Sequence, residues 1–247
     1  MLKILHVVGA RPQFIKLFAL HLEMKKRGLD QKILHTGQHF DHNMSDSFFN
    51  ELSIPAPDFN LNIHGLSHGA MTGQMIEGIE KILTREQPHY VIVYGDTNST
   101  LAGAIAAKKL KLKVVHVEAG LRNFDNEMPE ELNRILTDRI SDILFCPTQL
   151  CQDNLKKEGT PITSCINTGD ILYDCIGLFK SKLKKPSTSH VLFTCHREEN
   201  TTPEVLSEVV SALNELNKKI DVIFPVHPRT EEGLRQLPTK PTFSCTP

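Results

Sequence analysis

The chain has 247 residues, of which 40% are hydrophobic and 23% charged, and its formal net charge is −1. This composition is typical of a globular protein with room for one large domain or two smaller ones. The near-zero net charge gives no general attraction to nucleic acid or to anionic membranes. No apolar run reaches the length of a membrane helix and no signal-peptide pattern is present, so we expect a cytoplasmic protein.

The cysteines are scattered and form no Cys-x-x-Cys pair. We therefore expect free, buried thiols in a reducing compartment, and the spacing does not fit a zinc site. The six positions are Cys146, Cys151, Cys165, Cys175, Cys195 and Cys245.

Short apolar runs alternate with helical patterns along the first three quarters of the chain. Runs that are apolar on both faces are typical of a covered parallel sheet, and their alternation with helices predicts a doubly wound α/β domain. The predicted strands are Lys3–Val8, Gln31–His35, Tyr90–Tyr94, Lys113–Val117, Ile143–Cys146 and Cys165–Asn167. The predicted helices lie near Pro12–Arg27, Ala70–Thr84, Ser99–Leu110, Pro129–Ser141, Gln149–Glu158 and Leu172–Leu183.

Proline and serine in residues 184–189 predict a linker, which divides the chain into domains 1–187 and 188–247. Strands at His190–Cys195 and Val222–Val226, with a helix at Glu204–Lys218, predict the start of a second α/β domain. Two strands and about two helices are few for a three-layer domain, so we expect the second domain to be incomplete.

Polar or charged clusters follow six of the predicted strands. Ligands of open parallel sheets bind beyond the carboxyl ends of the strands, so these clusters are the candidate site. They occupy residues 9–12, 36–39, 95–97, 118–122, 196–198 and 227–229.

The first cluster has the composition of an anion site. Gly9 permits a tight turn, and Pro12 suits the first turn of a helix whose free N–H groups favour an anion. Arg11 and Lys16 add positive charge, which predicts a phosphate or diphosphate ligand. The segment lacks the Gly-x-Gly-x-x-Gly pattern of dinucleotide sites. The alternative is that Arg11 pairs with a nearby acid.

Acidic residues and a histidine make the clusters suitable for acid/base chemistry. Asp96 and Glu118 end successive strands and face one crevice if those strands are neighbours. Alternatively, Asp96 caps the following helix and Glu118 bonds to backbone. Glu130 lies in the first turn of a helix, where an acid usually only complements the helix dipole. His196 ends the first strand of the second domain beside an arginine, and there a functional role is favoured over a structural one.

Seven motifs, in this order, resemble those of the UDP-N-acetylglucosamine 2-epimerase family, and the resemblance extends from Lys3 to about Thr230. They are Gly-Ala-Arg-Pro-Gln-x-Ile-Lys at 9–16, Thr-Gly-Gln-His at 36–39, Gly-Asp-Thr-Asn-Ser-Thr-Leu-Ala at 95–102, His-Val-Glu-Ala-Gly-Leu-Arg at 116–122, Pro-Glu-Glu-x-Asn-Arg-x-Leu-Thr-Asp at 129–138, His-Arg-Glu-Glu-Asn at 196–200 and Pro-Val-His-Pro at 225–228.

The resemblance implies two Rossmann-like domains that face each other across a cleft, as in glycosyltransferases of the B type, and a homodimer. It implies a non-hydrolysing isomerase of nucleotide-sugar metabolism, in polysaccharide biosynthesis, that interconverts UDP-GlcNAc and UDP-ManNAc by elimination and re-addition of UDP. It implies no cofactor and no metal. The implied catalytic residues are Asp96, Glu118, Glu130 and His196. The implied substrate-binding residues are Arg11, Lys16, Gln38, His39, Arg134 and His227.

Two departures from the family pattern widen the range of possible activities. Residues 40–45 read Phe-Asp-His-Asn-Met-Ser where many members have Arg-x-x-Leu-Asp-Gln, which leaves room for another UDP-2-acetamido sugar, such as a diacetamido uronate or a deoxy sugar. The chain also stops before further strands of the family's second domain, and on that ground we expect an inactive fragment or little activity from this chain by itself. The motifs are also compatible with a hydrolysing 2-epimerase, and the architecture with a glycosyltransferase.

Overall fold

The computed structural model describes residues 2–38, 55–180, 188–195 and 200–246, with only the backbone at 228 and 229. The chain divides into two compact units, residues 1–182 and 183–247. The boundary predicted between 187 and 188 stays a prediction, because residues 181–187, with the end of the helix predicted at Leu172–Leu183, lie outside the described part. None of the helices described is both long and apolar enough to cross a membrane.

The first unit contains a seven-stranded sheet in the order β3-β2-β1-β4-β5-β6-β7, and each neighbouring pair is parallel. All six strands predicted for this unit are confirmed to within one residue. The short strand β3 was not predicted. The strands are β1 Lys3–Val8, β2 Asp30–His35, β3 Phe59–Asn60, β4 Tyr90–Tyr94, β5 Lys113–Val117, β6 Ile143–Cys146 and β7 Cys165–Asn167.

Helices follow the strands as a doubly wound α/β fold requires. Six α-helices are described in this unit, with a 3₁₀ turn at Ile162–Ser164. The helices are α1 Arg11–Lys26, α2 His68–Glu86, α3 Asn98–Lys109, α4 Pro129–Ile140, α5 Gln149–Lys157 and α6 Ile171–Phe179.

Alternate residues of each central strand enter two separate cores. On β1, Leu5 and Val7 pack with residues of α2 and α3, such as Met75. Val8, from the other face of the same strand, packs with Phe14 of α1. Because both faces are covered, the strands carry apolar residues without a polar alternation, and the sequence pattern reflects this directly.

The order in which successive strands are added to the sheet changes direction between β1 and β4. From β1 the chain proceeds to β2 and β3 on one side, and from β4 to β7 on the other. The loops that leave the carboxyl ends of β1 and β4 therefore diverge and leave a crevice, which is where open α/β sheets bind ligands.

The second unit is built around a three-stranded parallel sheet in the order β10-β9-β8. Its core is formed by residues such as Leu206, Val222 and Phe224. The elements are β8 His190–Leu192, α7 Pro203–Asn217, β9 Asp221–Pro225, α8 Pro228–Gln236 and β10 Ser244–Thr246.

Two sequence expectations about the second unit are corrected. It has three described strands where two were expected, because Ser244–Thr246 pairs with β9. The strand expected at His190–Cys195 ends at Leu192, because β8 pairs with β9 over only three residues. Helices α7 and α8 agree with the expected number of about two, although no bounds were predicted for α8.

All six cysteines are free. Four are buried as expected, and burial raises the pKa of Cys146 to about 12. Cys195 is half-buried and Cys245 is exposed, so the expectation of burial is wrong for these two.

Candidate active site

The loops after β1 and β4 are tied together by one buried amide, that of Gln13. Its Oε1 accepts from the backbone N–H groups of Gly9 (2.7 Å) and Ala10 (3.0 Å). Its Nε2 donates to the carbonyl of Tyr94 (2.8 Å) and to Thr100 Oγ1 (2.9 Å). The expected anion cradle is corrected on this point, since the N–H groups of residues 9 and 10 are already bonded.

Gly9 is required for close packing rather than for a turn. Its φ is not positive, but a Cβ atom there would lie 2.1 Å from both Thr36 Oγ1 and Ser99 Oγ. Those two hydroxyls bond to each other at 2.8 Å, and Ser99 also donates to Gln38 Oε1 at 2.7 Å. The predicted binding residue Gln38 therefore lies at the start of α3, beside the crevice.

Asp96 follows β4, and its carboxylate is held by α4. Arg134 donates from Nε (3.0 Å) and Nη2 (2.7 Å) to the same oxygen of Asp96. Asn133 donates to the Asp96 carbonyl at 2.9 Å. The N-cap of α3 is Thr97, so the alternative that Asp96 caps this helix is wrong.

Glu118 follows β5, the neighbour of β4 in the sheet. Its carboxylate forms an ion pair with the buried ammonium of Lys16 on α1, not with backbone, so the alternative of a backbone-bonded glutamate is wrong. The same ammonium lies beside Gly95, where a Cβ atom would be 3.1 Å from Nζ. Asp96 and Glu118 thus end adjacent strands, and each has its own cation.

Glu118 has a φ of +75°, a conformation uncommon outside glycine. The turn is fixed because the N–H groups of Glu118 (3.1 Å) and Ala119 (3.0 Å) both donate to the Phe145 carbonyl on β6. Positive φ at a non-glycine residue costs about 1–3 kcal/mol and is frequent at functional sites.

The two glutamates that begin α4 have different surroundings. Glu131 is buried and accepts from the N–H groups of Asn123 and Phe124 and from Arg134 Nη1 (2.6 Å). Burial by itself would raise the pKa of Glu131, but these donors lower it. Glu130 is half-buried and makes no hydrogen bond or ion pair with the described residues, so it is the one of the two available to a ligand.

A cavity of about 160 Å³ adjoins Glu118 at the carboxyl ends of β5, β6 and β7. Its walls are largely apolar and include Val117, Phe145 and Ile171, and its rim carries Asp174. Such a space can hold an uncharged ring or methyl group against a carboxylate.

Of the remaining predicted site residues, the structure describes Arg11 and His227. Arg11 is exposed at the start of α1. His227 is exposed in the second unit, between β9 and α8. His39, His196 and residues 40–45 lie outside the described part of the chain.

Sequence reasoning missed the residues that hold the site together. Gln13, Asn133 and Asp138 are buried, and His116 is bonded to Asp138 at 2.7 Å. All four lie inside the quoted motifs, and their position within them was the available signal. Among the described residues, no group of three or more His, Cys, Asp and Glu side chains could hold a metal ion.

Comparison with known proteins identifies a family. The sequence model of the family described as UDP-N-acetylglucosamine 2-epimerase matches residues 22–245. The UDP-2,3-diacetamido-2,3-dideoxy-D-glucuronate 2-epimerase of Pseudomonas aeruginosa is 49% identical over 97% of this chain and 70% of its own length.

Two crystal structures are similar in both fold and sequence. The UDP-GlcNAc 2-epimerase of Methanocaldococcus jannaschii, in complex with UDP-GlcNAc and UDP, matches with a TM-score of 0.86 at 40% identity, over 95% of this chain and 68% of that one. The enzyme of Neisseria meningitidis, bound to UDP-GlcNAc, matches with a TM-score of 0.89 at 30% identity, over 99% and 72%.

A parallel α/β sheet with two carboxylates at the carboxyl ends of adjacent strands, next to its switch point, defines the class, an α/β enzyme with its site at the carboxyl ends of the strands. Within that class, the chain belongs to the UDP-N-acetylglucosamine 2-epimerase family. It is accordingly an isomerase of the carbohydrate-epimerase type.

Proposed function

We propose that this protein epimerises a UDP-2-acetamido sugar at C2 and that it interconverts UDP-N-acetylglucosamine and UDP-N-acetylmannosamine. The observation that carries the proposal is the pair Asp96 and Glu118 on adjacent strands, each beside its own cation. The names of the M. jannaschii and N. meningitidis enzymes, which bind UDP-GlcNAc, support this choice of sugar.

The proposed chemistry is an elimination followed by a re-addition. A base takes the C2 proton, the C2–H electron pair becomes the C1=C2 double bond, and the C1–O bond to UDP breaks. A proton then returns to C2 from the opposite face and UDP adds back at C1. No oxidant or reductant is consumed, so the reaction is balanced by general acid/base catalysis alone.

The described residues supply several parts of this scheme. Glu118 and Asp96 are the proposed proton-transfer and charge-stabilising carboxylates, since positive charge develops on a sugar ring as its anomeric bond breaks. Glu130, which is free of described partners, is the third. Arg11 and Lys16 are proposed for the charge of the departing diphosphate. The cavity beside Glu118 is proposed to take the acetamido group.

The remaining assignments come from the family resemblance. His196 is proposed as the catalytic histidine, and Gln38, His39, Arg134 and His227 as substrate-binding residues. A two-domain cleft, a homodimer and a cytoplasmic location also stay predictions.

A second candidate is a 2-epimerase of UDP-2,3-diacetamido-2,3-dideoxy-D-glucuronate. The specific observation in its favour is the 49% identity to the P. aeruginosa enzyme of that name.

A panel of three nucleotide sugars tests the proposal and separates the candidates. The protein is incubated with UDP-N-acetylglucosamine, with the diacetamido uronate, and with UDP-glucose as a control that lacks the acetamido group. We expect the first to reach equilibrium with its C2 epimer without accumulation of UDP, while UDP-glucose is unchanged. The sequence expectation of little or no activity from this chain by itself predicts the opposite result, and the panel decides between the two. Turnover of the uronate alone would favour the second candidate, and no epimer from either acetamido sugar would refute the proposal.

A further inference from the structure

A buried carboxylate on α4 reaches the turn that carries Glu118. Asp138 is 2% exposed. Its Oδ2 accepts from the N–H of Gly120 (3.0 Å) and from Arg122 Nη1 (2.8 Å), while Oδ1 faces His116 Nδ1 at 2.7 Å. Burial by itself would raise the pKa of Asp138, but the neighbouring His116 and Arg122 lower it, so the group is a carboxylate that accepts three hydrogen bonds.

His116 continues this connection to the loop that carries Asp96. Its Nε2 lies 2.7 Å from the carbonyl oxygen of Gly95, which can only accept, so Nε2 donates. The carboxylate of Asp138 also only accepts, so Nδ1 donates as well. One continuous chain of hydrogen bonds therefore runs from Gly95 through His116 and Asp138 to Gly120.

The two ends of this chain flank the predicted catalytic carboxylates. Gly95 precedes Asp96, and Gly120 follows Glu118 by two residues. Gly120 itself has a φ of +81°, and its carbonyl accepts from Asn154 Nδ2 at 3.1 Å. The positive φ of Glu118 thus depends on a turn whose next glycine is fixed by Asp138.

Arg122 links this hydrogen-bond network to a second carboxylate, that of Glu158. Its side chain is 1% exposed, and it donates from Nε and Nη2 to the two carboxylate oxygens of Glu158, both at 2.7 Å. The charge of Arg122 therefore has a partner other than Asp138, which makes an uncharged substitution at Asp138 tolerable.

We propose that Asp138 is a positioning residue of the epimerisation reaction, which acts through His116 and Gly120 to hold Asp96 and Glu118 in a fixed mutual arrangement. The inference rests on the proposed function, because it assigns a role in that reaction. Because Asp138 is buried, we expect its effect to fall on the rate of the chemical step rather than on substrate binding.

Two substitutions at Asp138 test this. In Asp138→Asn the amide can donate to His116 Nδ1 and accept from Gly120 and Arg122, while His116 still donates to Gly95. Every connection survives without the charge. In Asp138→Ala all three donors lose their acceptor.

We expect Asp138→Ala to lower kcat about 100-fold, as misplacement of reacting groups does, with KM within about threefold of its original value. We expect Asp138→Asn to keep kcat within about fivefold.

A core variant of matched stability separates positioning from simple destabilisation. Leu83 on α2 is fully buried, so Leu83→Ala leaves a cavity in the core beside this helix and serves as the control. Rates are measured per folded molecule, well below the lowest Tm. If Asp138→Ala has the kcat of Leu83→Ala, or if Asp138→Asn is as slow as Asp138→Ala, the inference is overturned. Should Asp138→Ala not fold, His116→Leu replaces it. Leucine has no hydrogen-bond donor for Gly95 or for Asp138, so kcat should fall, and an unchanged kcat overturns the inference.

A structural readout keeps this test distinct from that of the proposed function. Amide NMR signals of Gly95 and Gly120 should move in Asp138→Ala and stay nearly in place in Asp138→Asn. If the unaltered protein epimerises no acetamido sugar, the proposed function fails. If it is active and the two glycine signals are the same in all variants, only the positioning role fails.

Discussion

At the scale of single residues, the backbone conformation of Glu118 and Gly120 fixes the turn that follows β5 at the candidate site. Both have positive φ, and the segment between them turns the chain from the end of β5 towards α5. At Gly120 a Cβ atom would lie 2.4 Å from the carbonyl oxygen of Cys151 and 2.8 Å from the carbonyl carbon of the same residue. No side chain fits there, so this turn requires glycine for space as well as for conformation.

Gly120→Ala should destabilise the protein by about 2–5 kcal/mol, the combined cost of an unfavourable φ and a backbone clash. The control is Gly73→Ala in the middle of α2, where nothing lies within 4 Å of the added methyl. That change should stabilise by about 0.5–1 kcal/mol. Urea unfolding of both variants measures the difference, and equal stabilities would show that the turn is not constrained as described.

Glu118→Gln should lower kcat by about 10²–10⁴-fold and leave KM nearly unchanged, because a proton-transfer group is lost while shape is kept. Glu127→Gln, an exposed glutamate in the following loop, is the matched control and should keep full activity. Steady-state kinetics on both variants check this. Near-original kcat in Glu118→Gln would remove this residue from the proposed mechanism.

Among the elements, the central strands are joined by buried polar groups as well as by their ladders. His6 on β1 lies 2.7 Å from the hydroxyl of Tyr94 on β4 and 3.1 Å from Gln31 Oε1 on β2. Burial lowers the pKa of His6 to about 3, in spite of the bond to Gln31. His6 is therefore neutral in the folded protein, with Nε2 donating to Gln31 and Nδ1 accepting from Tyr94.

This histidine should make the sheet sensitive to acid. The unfolded chain binds a proton at His6 as the pH falls below about 6.5, while the folded chain does not until about pH 3. The free energy of unfolding should therefore fall by on the order of 2–3 kcal/mol between about pH 6.5 and 4.5. His6→Gln should flatten this decline. Chemical unfolding across this pH range is the measurement, and identical slopes in the two proteins would contradict the assignment.

The sequence predicted strands correctly where both faces of the strand are buried, because burial on both faces requires a continuous run of apolar residues. Strands such as Tyr90–Tyr94 are continuous apolar runs, and the structure has them at those bounds. Strand β3 is two residues long and β10 is exposed along its length, so neither has an apolar run to detect. Helix α8 is strongly polar, and its first residue, Pro228, lies in the polar cluster predicted to follow the strand.

The site was predictable only in part, for a related reason. Exposed or half-buried carboxylates that follow strands, such as Asp96 and Glu118, are visible in the sequence. The buried residues that hold the surrounding loops are not visible, because Gln13, Asn133 and Asp138 are polar residues within helices, a pattern that normally indicates a solvated face. Only the register of α1 and α4 against the sheet shows that these side chains point inward.

At the scale of the whole molecule, each unit has a core of its own. Among the residues that the structure describes, the buried apolar residues of the second unit, such as Leu206 and Phe224, form one cluster, and those of the first unit form three others. A substitution inside one cluster should therefore loosen the elements around it first.

Leu206→Ala should lower the stability of the second unit by about 2–5 kcal/mol, because the side chain is fully buried and its removal leaves a cavity. Hydrogen exchange followed by mass spectrometry should show loss of protection in peptides from α7 and β9. Peptides from β4 and β5 serve as the internal reference and should keep their protection. Equal loss in both sets would show that the two units unfold as one.

The exchange of one hydrogen tests the central claim, epimerisation by removal of the C2 proton. The protein is incubated with UDP-N-acetylglucosamine in heavy water, and the C2 position of substrate and product is followed by proton NMR. Because the proposed path passes through a species without the C2 hydrogen, epimerised product should carry deuterium at C2. A product that retains its original C2 hydrogen would contradict the proposed mechanism.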